Sequence, residues 1–93
     1  MKKKVYISLT ADNIHHGHIN LINEGKKYGD VIIGLLTDKA VATHKKLPIL
    51  NYEKRKLIIK NISGVSEVIE QSEWDDSFTI DKIKPDIVIH GDD

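Results

Sequence analysis

Three histidines lie close together near the start of the chain, in the segment His15-His16-Gly17-His18. The segment follows an apolar run, residues 5–9, and its end overlaps a stretch that predicts a helix. The first amides of a helix have no partner within the helix and carry partial positive charge, so this junction suits an anion such as phosphate. Imidazole rings add donors in either protonation state. These residue types predict a phosphate-binding turn between a strand and a helix.

Length and composition narrow the classes of function. The 93 residues predict one domain with a modest core. The 14 basic and 14 acidic side chains balance, so we expect a small partner and no general attraction to nucleic acid or membrane. The absence of cysteine excludes disulfides and thiolate metal sites. No apolar run approaches the ~20 residues that a membrane span needs, and we expect a cytoplasmic protein.

Segments typical of strands alternate with segments typical of helices. Strands are predicted at residues 4–9, 30–36, 65–69 and 86–90, and helices at 16–28, 38–42, from 52 onward and at 79–84. Gly29 is predicted to end the first helix, and Asn51 to cap the third. Thr37 or Asp38 would cap the second. The apolar positions of the third helix are predicted to be Leu57, Ile58 and Ile62.

This alternation predicts a Rossmann-like α/β fold, with a parallel sheet that carries helices on both faces. The expected strand order is 3-2-1-4, so the direction of winding reverses between strands 1 and 4. Ligands of such sheets bind at that reversal, outside the carboxyl ends of the strands. The fold would therefore bring the turn at residues 12–18 and the segment Gly91-Asp92-Asp93 to one crevice.

The histidine segment resembles the HxGH signature of the nucleotidyltransferase superfamily, with His15 and His18 as its paired histidines. Further matching pieces follow in order: Thr10-Ala11-Asp12, Leu36-Thr37-Asp38, Asn51-Tyr52-Glu53-Lys54-Arg55-Lys56 and Gly91-Asp92-Asp93. Together they resemble the glycerol-3-phosphate cytidylyltransferase group from end to end. Within that group, residues 35–40, 46–48 and 90–93 are most similar to cytidylyltransferase domains found with phosphoenolpyruvate phosphomutase in phosphonate pathways.

The resemblance implies transfer of CMP from CTP to a phosphate or phosphonate oxygen of a small molecule, with release of pyrophosphate. It implies catalytic roles for His15, His18, Lys46 and Arg55, and Mg²⁺ that arrives on the triphosphate without a metal site of the protein. The residues expected to bind nucleotide or substrate are Leu9, Thr10, Ala11, Asp12, His15, Gly17, His18, Asp38, Gly91, Asp92 and Asp93.

The chain departs from the family pattern in two places. Members of the group continue past the Gly-Asp-Asp segment into another strand and a last helix, which the single domain at residues 1–93 is expected to lack. The fourth strand would then be an open edge, so either the sequence is an excised fragment or a second chain covers that edge. Because close members of the family are typically dimers, a homodimer is expected. Ser63 and Ser66 stand where glycerol-3-phosphate enzymes carry charged residues, which puts that acceptor in doubt.

Two other classes of function remain open. His15 and His18 with His90 or Asp92 could hold Zn²⁺, or the domain could bind nucleotide or form a dimer without catalysis. Individual residues also have structural alternatives. His15 and His18 could cap the helix, Lys45 and Lys46 could be solvated, and Arg55 could form exposed ion pairs. His16 and His44 are expected to be surface residues, whereas Trp74, Tyr6 and Phe78 are expected to pack in the interior.

Overall fold

The computed structural model describes residues 3–11, 16–44 and 50–90, within which strands form one parallel sheet in the order β3-β2-β1-β4. In chain order the elements are β1 (Lys3–Leu9), α1 (His16–Lys26), β2 (Gly29–Leu36), α2 (Asp38–Ala42), α3 (Tyr52–Lys60), β3 (Val65–Gln71), α4 (Ser77–Ile83) and β4 (Ile87–Ile89). The strand order and the Rossmann-like α/β fold predicted from the sequence are confirmed. No helix in the described ranges is long and apolar enough to cross a membrane.

One side of the sheet, which we call the α1 face, holds the main hydrophobic core. Alternate residues of β1, such as Val5 and Ile7, point to this face and are fully buried. They pack against Ile22 of α1 and Ile59 of α3. Gly25 lets α1 approach closely, because a Cβ there would lie 3.0 Å from Val31 Cγ2 and 3.2 Å from Val5 Cγ1.

The other side, which we call the α4 face, carries polar residues among its buried groups. Tyr6 of β1 crosses Gly34 of the neighbouring strand, where any Cβ would overlap the phenol ring. The Tyr6 hydroxyl donates a hydrogen bond to Gln71 Oε1 at the end of β3. It also interacts with Thr79 of α4, so this helix covers the second face of the sheet. Burial raises the pKa of Tyr6 to about 12, with a smaller contribution from the charge of Asp76.

The prediction that Gly29 ends the first helix is wrong. The helix ends at Lys26, and Gly29 is the first residue of β2, where it pairs with Lys3. A Cβ on Gly29 would collide with the Lys3 carbonyl, so glycine is required by the close approach of two strands. The sequence alone offered a helix stop as the more familiar reason for a glycine at this position.

The predicted apolar positions of the third helix are also largely wrong. Leu57 and Ile58 are 59% and 40% exposed, whereas Arg55 and Ile59 are fully buried. Arg55 and Ile59 are four residues apart and therefore share one side of α3, which packs on the sheet. Ile62, as predicted, packs against the core. An inward-facing arginine breaks the apolar periodicity on which the prediction rested.

Smaller differences concern boundaries and caps. The strand β3 extends to Gln71, α4 begins two residues before its predicted start, and β4 is shorter than predicted. The hydroxyl of Thr37 accepts a hydrogen bond from Ala40 N at 3.1 Å, and Asn51 Oδ1 accepts one from Lys54 N at 3.0 Å. Both predicted N-caps are therefore confirmed. Phe78, predicted to pack, is 69% exposed.

Candidate active site

The ends of β1 and β2 meet at the carboxyl edge of the sheet, where the strand order reverses between β1 and β4. Leu9 and Ala11 point into the core and are buried, so their backbone groups rather than their side chains can meet a ligand. Ala11 has a positive φ of 59°, which costs a non-glycine residue about 1 kcal/mol. This strained residue turns the chain out of β1 at the predicted phosphate-binding turn.

The helix α1 starts beside this turn. Its first residue, His16, is exposed as expected, Gly17 is half-buried, and His18 is 4% exposed. The first turn of α1 carries no acidic side chain, so the partial positive charge of the helix terminus meets no carboxylate from its own residues. The structure thus places Gly17 and His18 at a helix start that is compatible with an anion.

Arg55 holds the two strand ends together from α3. Its Nη1 donates to two carbonyl oxygens, that of Thr10 at 2.7 Å and that of Leu36 at 2.8 Å. Thr10 directly follows β1, and Leu36 is the last residue of β2. Its Nε donates to the Leu50 carbonyl at 3.1 Å. Carbonyl groups at strand ends need donors when they are buried, and one planar guanidinium supplies them for three separate segments.

The same guanidinium binds Asp38 at the start of α2. Arg55 Nη2 lies 2.7 Å from Asp38 Oδ1, and the carboxylate also accepts a hydrogen bond from Tyr52 N at 3.4 Å. The Tyr52 ring centroid is 5.7 Å from the guanidinium carbon. Partial burial raises the pKa of Tyr52, assisted by the charges of Glu70 and Glu53, while Arg55 opposes the shift. The α2 and α3 starts are therefore joined by one charged pair.

These contacts change the interpretation of two predicted site residues. The alternative of exposed ion pairs for Arg55 is wrong, because its side chain is fully buried and its partners are backbone carbonyls and Asp38. Asp38, which is 40% exposed, already uses one oxygen on Arg55. A direct contact of either residue with ligand stays a prediction. The structure shows both of them organising the edge where that ligand is expected.

The structure brings Thr10, Asp38 and Arg55 into one connected group and places Gly17 and His18 at the start of α1. The remaining predicted residues lie outside the described ranges: Asp12, His15, Lys46, Gly91, Asp92 and Asp93. Their predicted roles stay predictions.

A cavity of about 400 Å³ opens at the same edge. Its lining includes Ser8 of β1, Thr10 just after that strand, and Leu36 at the end of β2. The remaining lining residues are Trp74, Asp75, Asp76 and His90. The described part of its lining holds two aspartates and no lysine or arginine, so these residues favour hydrogen-bond donors over phosphate oxygens.

The acidic side of the cavity comes from the segment between β3 and α4. The Ser77 hydroxyl and the Ser77 N–H both donate hydrogen bonds to the Asp75 carboxylate. These bonds, the hydroxyl's more than the N–H's, hold the pKa of that carboxyl below its ordinary value. Asp76 Oδ2 lies 4.0 Å from His90 Nε2 and has no hydrogen-bond partner among the described residues. The cavity wall therefore offers carboxylate oxygens that can accept from a ligand.

Sequence reasoning missed Asp75, Asp76 and the cavity side of Trp74. The available signal was their position directly after a parallel strand, because such segments gather at the carboxyl edge of the sheet. The prediction ended the third strand at residue 69, whereas β3 runs to Gln71. The prediction gave Trp74 a packing role and assigned no role to Asp75 and Asp76.

A resident metal ion has no evident cage here. Within the described residues no group of three or more histidine, aspartate or glutamate side chains is placed to hold a metal. Two members of the zinc set considered from the sequence, His15 and Asp92, lie outside those ranges. Mg²⁺ bound to a triphosphate needs few protein ligands because it retains waters and phosphate oxygens. Its participation stays a prediction.

Comparison with known proteins identifies relatives over nearly the whole chain. The cytidylyltransferase-like family model matches residues 10–93. A glycerol-3-phosphate cytidylyltransferase from Bacillus spizizenii is 38% identical over 93 residues, which cover 98% of this chain and 72% of the relative. An FAD synthase from Ferroglobus placidus is 36% identical over 91 residues, covering 98% of this chain. The chain spans 60% of the length of that FAD synthase.

A solved structure shows the same fold. The crystal structure of the lipopolysaccharide core biosynthesis protein from Thermoplasma volcanium GSS1 superimposes with a TM-score of 0.85 at 30% sequence identity. The match covers 92% of this chain and 71% of that protein. The parallel sheet and its carboxyl edge are thus shared with a larger protein.

Proposed function

Because the chain belongs to the cytidylyltransferase-like family, we propose that it transfers CMP from CTP to a phosphate or phosphonate oxygen of a small acceptor. The observation that best supports this proposal is the carboxyl edge of the sheet, at the point where the strand order reverses between β1 and β4. There a helix start free of acidic residues lies beside strand ends joined by Arg55. This edge is where parallel α/β sheets bind ligands, and its chemistry suits the phosphates of a nucleotide.

The reaction needs no nucleophile from the protein. An acceptor oxygen forms a bond to the α-phosphorus of the triphosphate as the bond from that phosphorus to the bridging oxygen breaks. The electron pair leaves with pyrophosphate, which carries the new negative charge. The protein therefore has to align two anions and stabilise charge on the α-phosphate and the leaving group.

His18 and His15 are proposed to donate hydrogen bonds to the phosphate oxygens, together with the first amides of α1. Lys46 is proposed to neutralise the charge of the phosphates with its ammonium group. Arg55 supports this arrangement through the carbonyls of Thr10 and Leu36 even where it does not touch ligand. Mg²⁺ bound to the triphosphate would supply additional neutralisation of the leaving pyrophosphate.

The cavity beside this edge is proposed to hold the part of the acceptor that carries no phosphate. Its oxygen-rich lining of Ser8, Thr10 and Asp76 accepts hydrogen bonds, and its Trp74 ring offers an apolar surface. These groups suit a short chain with hydroxyl or amine donors, attached to a phosphate or phosphonate. A second anionic group would be repelled by Asp75 and Asp76.

The proposal is tested by a pyrophosphate-release assay with Mg²⁺, combining CTP or ATP with glycerol 3-phosphate, ethanolamine phosphate or 2-aminoethylphosphonate. Turnover with CTP and one acceptor is expected. The ATP arm matters because one relative makes FAD, an adenine nucleotide. Turnover with ATP alone would overturn the choice of base but keep nucleotidyl transfer.

Substitution of His18 separates catalysis from a structural cap. His18→Ala is expected to lower turnover by roughly 10² to 10³, as for the loss of other oxyanion donors, with the Tm within a few degrees. Calorimetry with CTP would detect the alternative of a nucleotide-binding domain without catalysis, which would show binding but no pyrophosphate release. The homodimer and the cytoplasmic location stay predictions, and sedimentation would test the former.

A further inference from the structure

We propose that His44 is a positioning residue that holds the Trp74 ring as a wall of the acceptor cavity and thereby sets the affinity for the acceptor. The inference rests on the proposed function, because it assigns a role in acceptor binding. His44 follows α2 and was expected from the sequence to be an unremarkable surface residue. It is exposed, yet its ring stacks on Trp74 with centroids 4.5 Å apart and an interplanar angle of 16°.

The imidazole is itself fixed in orientation. The Thr43 hydroxyl donates its proton to the Ala40 carbonyl at 2.6 Å, and its oxygen lies 2.8 Å from His44 Nδ1. Because that hydroxyl has one proton, Nδ1 must be the donor in the second contact. Two consecutive hydrogen bonds through the Thr43 hydroxyl therefore connect the imidazole to the last turn of α2. They orient the plane of the ring that stacks on Trp74.

The backbone of Trp74 is held independently of its ring. Gln71 Nε2 donates to the Glu73 carbonyl at 3.0 Å and to the Trp74 carbonyl at 3.3 Å. The Gln71 side chain is in turn held by the hydrogen bond from the Tyr6 hydroxyl to its Oε1. The indole packs against the small cluster of Leu36, Ala40 and Val41. The backbone contacts fix where Trp74 leaves the chain, and the apolar cluster supports its indole.

The plane of the Trp74 ring matters because this residue borders two cavities. It lines the acceptor cavity and also a second cavity of about 410 Å³, whose lining includes Thr37, Lys39 and Thr43. Rotation of the ring towards the second cavity would change the wall of the first. The stacked His44 ring opposes such a rotation, and an aromatic pair of this kind contributes a stabilisation equivalent to roughly 3- to 10-fold in an equilibrium.

Two variants at His44 separate stacking from other roles. His44→Ala removes the ring, whereas His44→Phe keeps an aromatic plane but loses the contact with Thr43. We expect His44→Ala to raise the acceptor KM by roughly 3- to 10-fold while the KM for CTP stays within twofold. His44→Phe should recover most of the loss. Tyr28→Ala, which removes an aromatic side chain that is 51% exposed on the far end of the α1–β2 turn, is the matched control.

Fluorescence gives a readout that overall stability would not change. Trp74 is the only tryptophan of the 93-residue chain, so its emission and its quenching by acrylamide report on this ring alone. Greater quenching is expected for His44→Ala than for wild type, His44→Phe or Tyr28→Ala. Addition of the accepted phosphate compound should protect wild type from quenching and protect His44→Ala less.

The outcomes distinguish this inference from the proposed function. Wild-type turnover combined with an unchanged acceptor KM in His44→Ala would overturn the positioning role and leave nucleotidyl transfer intact. Equal rises in the KM values for acceptor and CTP would indicate general loss of structure and would also overturn it. If wild type uses none of the three acceptors, the proposed function fails and the inference fails with it.

Discussion

The two faces of the sheet are built from different kinds of residue although they share the same strands. On the α1 face, Val5 and Ile7 of β1 pack in an apolar core beneath two helices. On the α4 face, Tyr6 and Ser8 alternate with them, and the buried groups include Gln71 and Thr79. The first face contributes mainly burial of apolar surface, whereas the second contributes directional hydrogen bonds.

The difference teaches where selectivity can arise in so small a domain. The α1 face presents α1 and Arg55 to the carboxyl edge, where the nucleotide phosphates are proposed to bind. The α4 face presents Trp74 and Asp76, which lie in the segment after β3 and line the cavity. Substitutions on the first face should therefore change stability and turnover, and those on the second should change acceptor preference and pH dependence.

The largest expected effect is the loss of Arg55. Arg55→Met leaves the carbonyls of Thr10, Leu36 and Leu50 without this donor and isolates Asp38, so the free energy of unfolding should fall by about 3 to 5 kcal/mol. Urea denaturation measures it. Lys54→Met, one residue earlier and exposed, should stay near wild type. A loss below about 1 kcal/mol for Arg55→Met would show that the guanidinium is not what joins the strand ends.

The next effect concerns the pH dependence contributed by Tyr6. Its pKa is raised to about 12 in the folded protein, so below pH 10 the hydroxyl is protonated in both the folded and the unfolded state. The contribution of Tyr6 to stability is then fully present. As pH rises from 10 towards 12 the unfolded chain releases this proton first, and the free energy of unfolding should fall by about 2 kcal/mol. Comparing wild type with Tyr6→Phe isolates this slope from other groups. Parallel curves for the two proteins would contradict it.

Two glycines compare the faces directly. Gly34→Ala should destabilise the protein by about 1 to 3 kcal/mol, because the added methyl displaces Tyr6 from Gln71. Gly25→Ala on the α1 face should be close to neutral, because tight contacts with Val31 are offset by a helix-propensity gain of about 1 kcal/mol. Thermal unfolding measures both. A larger loss for Gly25→Ala than for Gly34→Ala would show that the α1 face tolerates an added methyl group less well than the α4 face.

The smallest effect is expected at the start of α2. Thr37→Ala removes the hydroxyl that accepts from Ala40 N, which should cost about 1 kcal/mol. Thr37→Ser keeps the cap and serves as the control. Because α2 carries the Thr43–His44 pair at its end, weaker Trp74 stacking in Thr37→Ala, read from acrylamide quenching, would link this cap to the cavity wall.

Much of the fold was predictable because it depends on local patterns. Apolar runs separated by helical segments predicted the strand order, and the side-chain chemistry of Thr37 and Asn51 predicted two caps. The helix start at His16 was likewise predicted. The errors fell at Gly29 and on the apolar side of α3, where a local pattern admits two explanations and only the neighbouring strand decides between them.

The sequence by itself determined the alternation of elements, the family resemblance and the position of the histidine turn, because hydrophobic period and residue spacing encode these locally. Only the tertiary structure decided that Arg55 faces inward beneath two strand ends and that His44 meets Trp74, 30 residues further along the chain. Those contacts join residues far apart in the chain. These contacts depend on how the helices and loops pack against the sheet. No local pattern of residues specifies that packing.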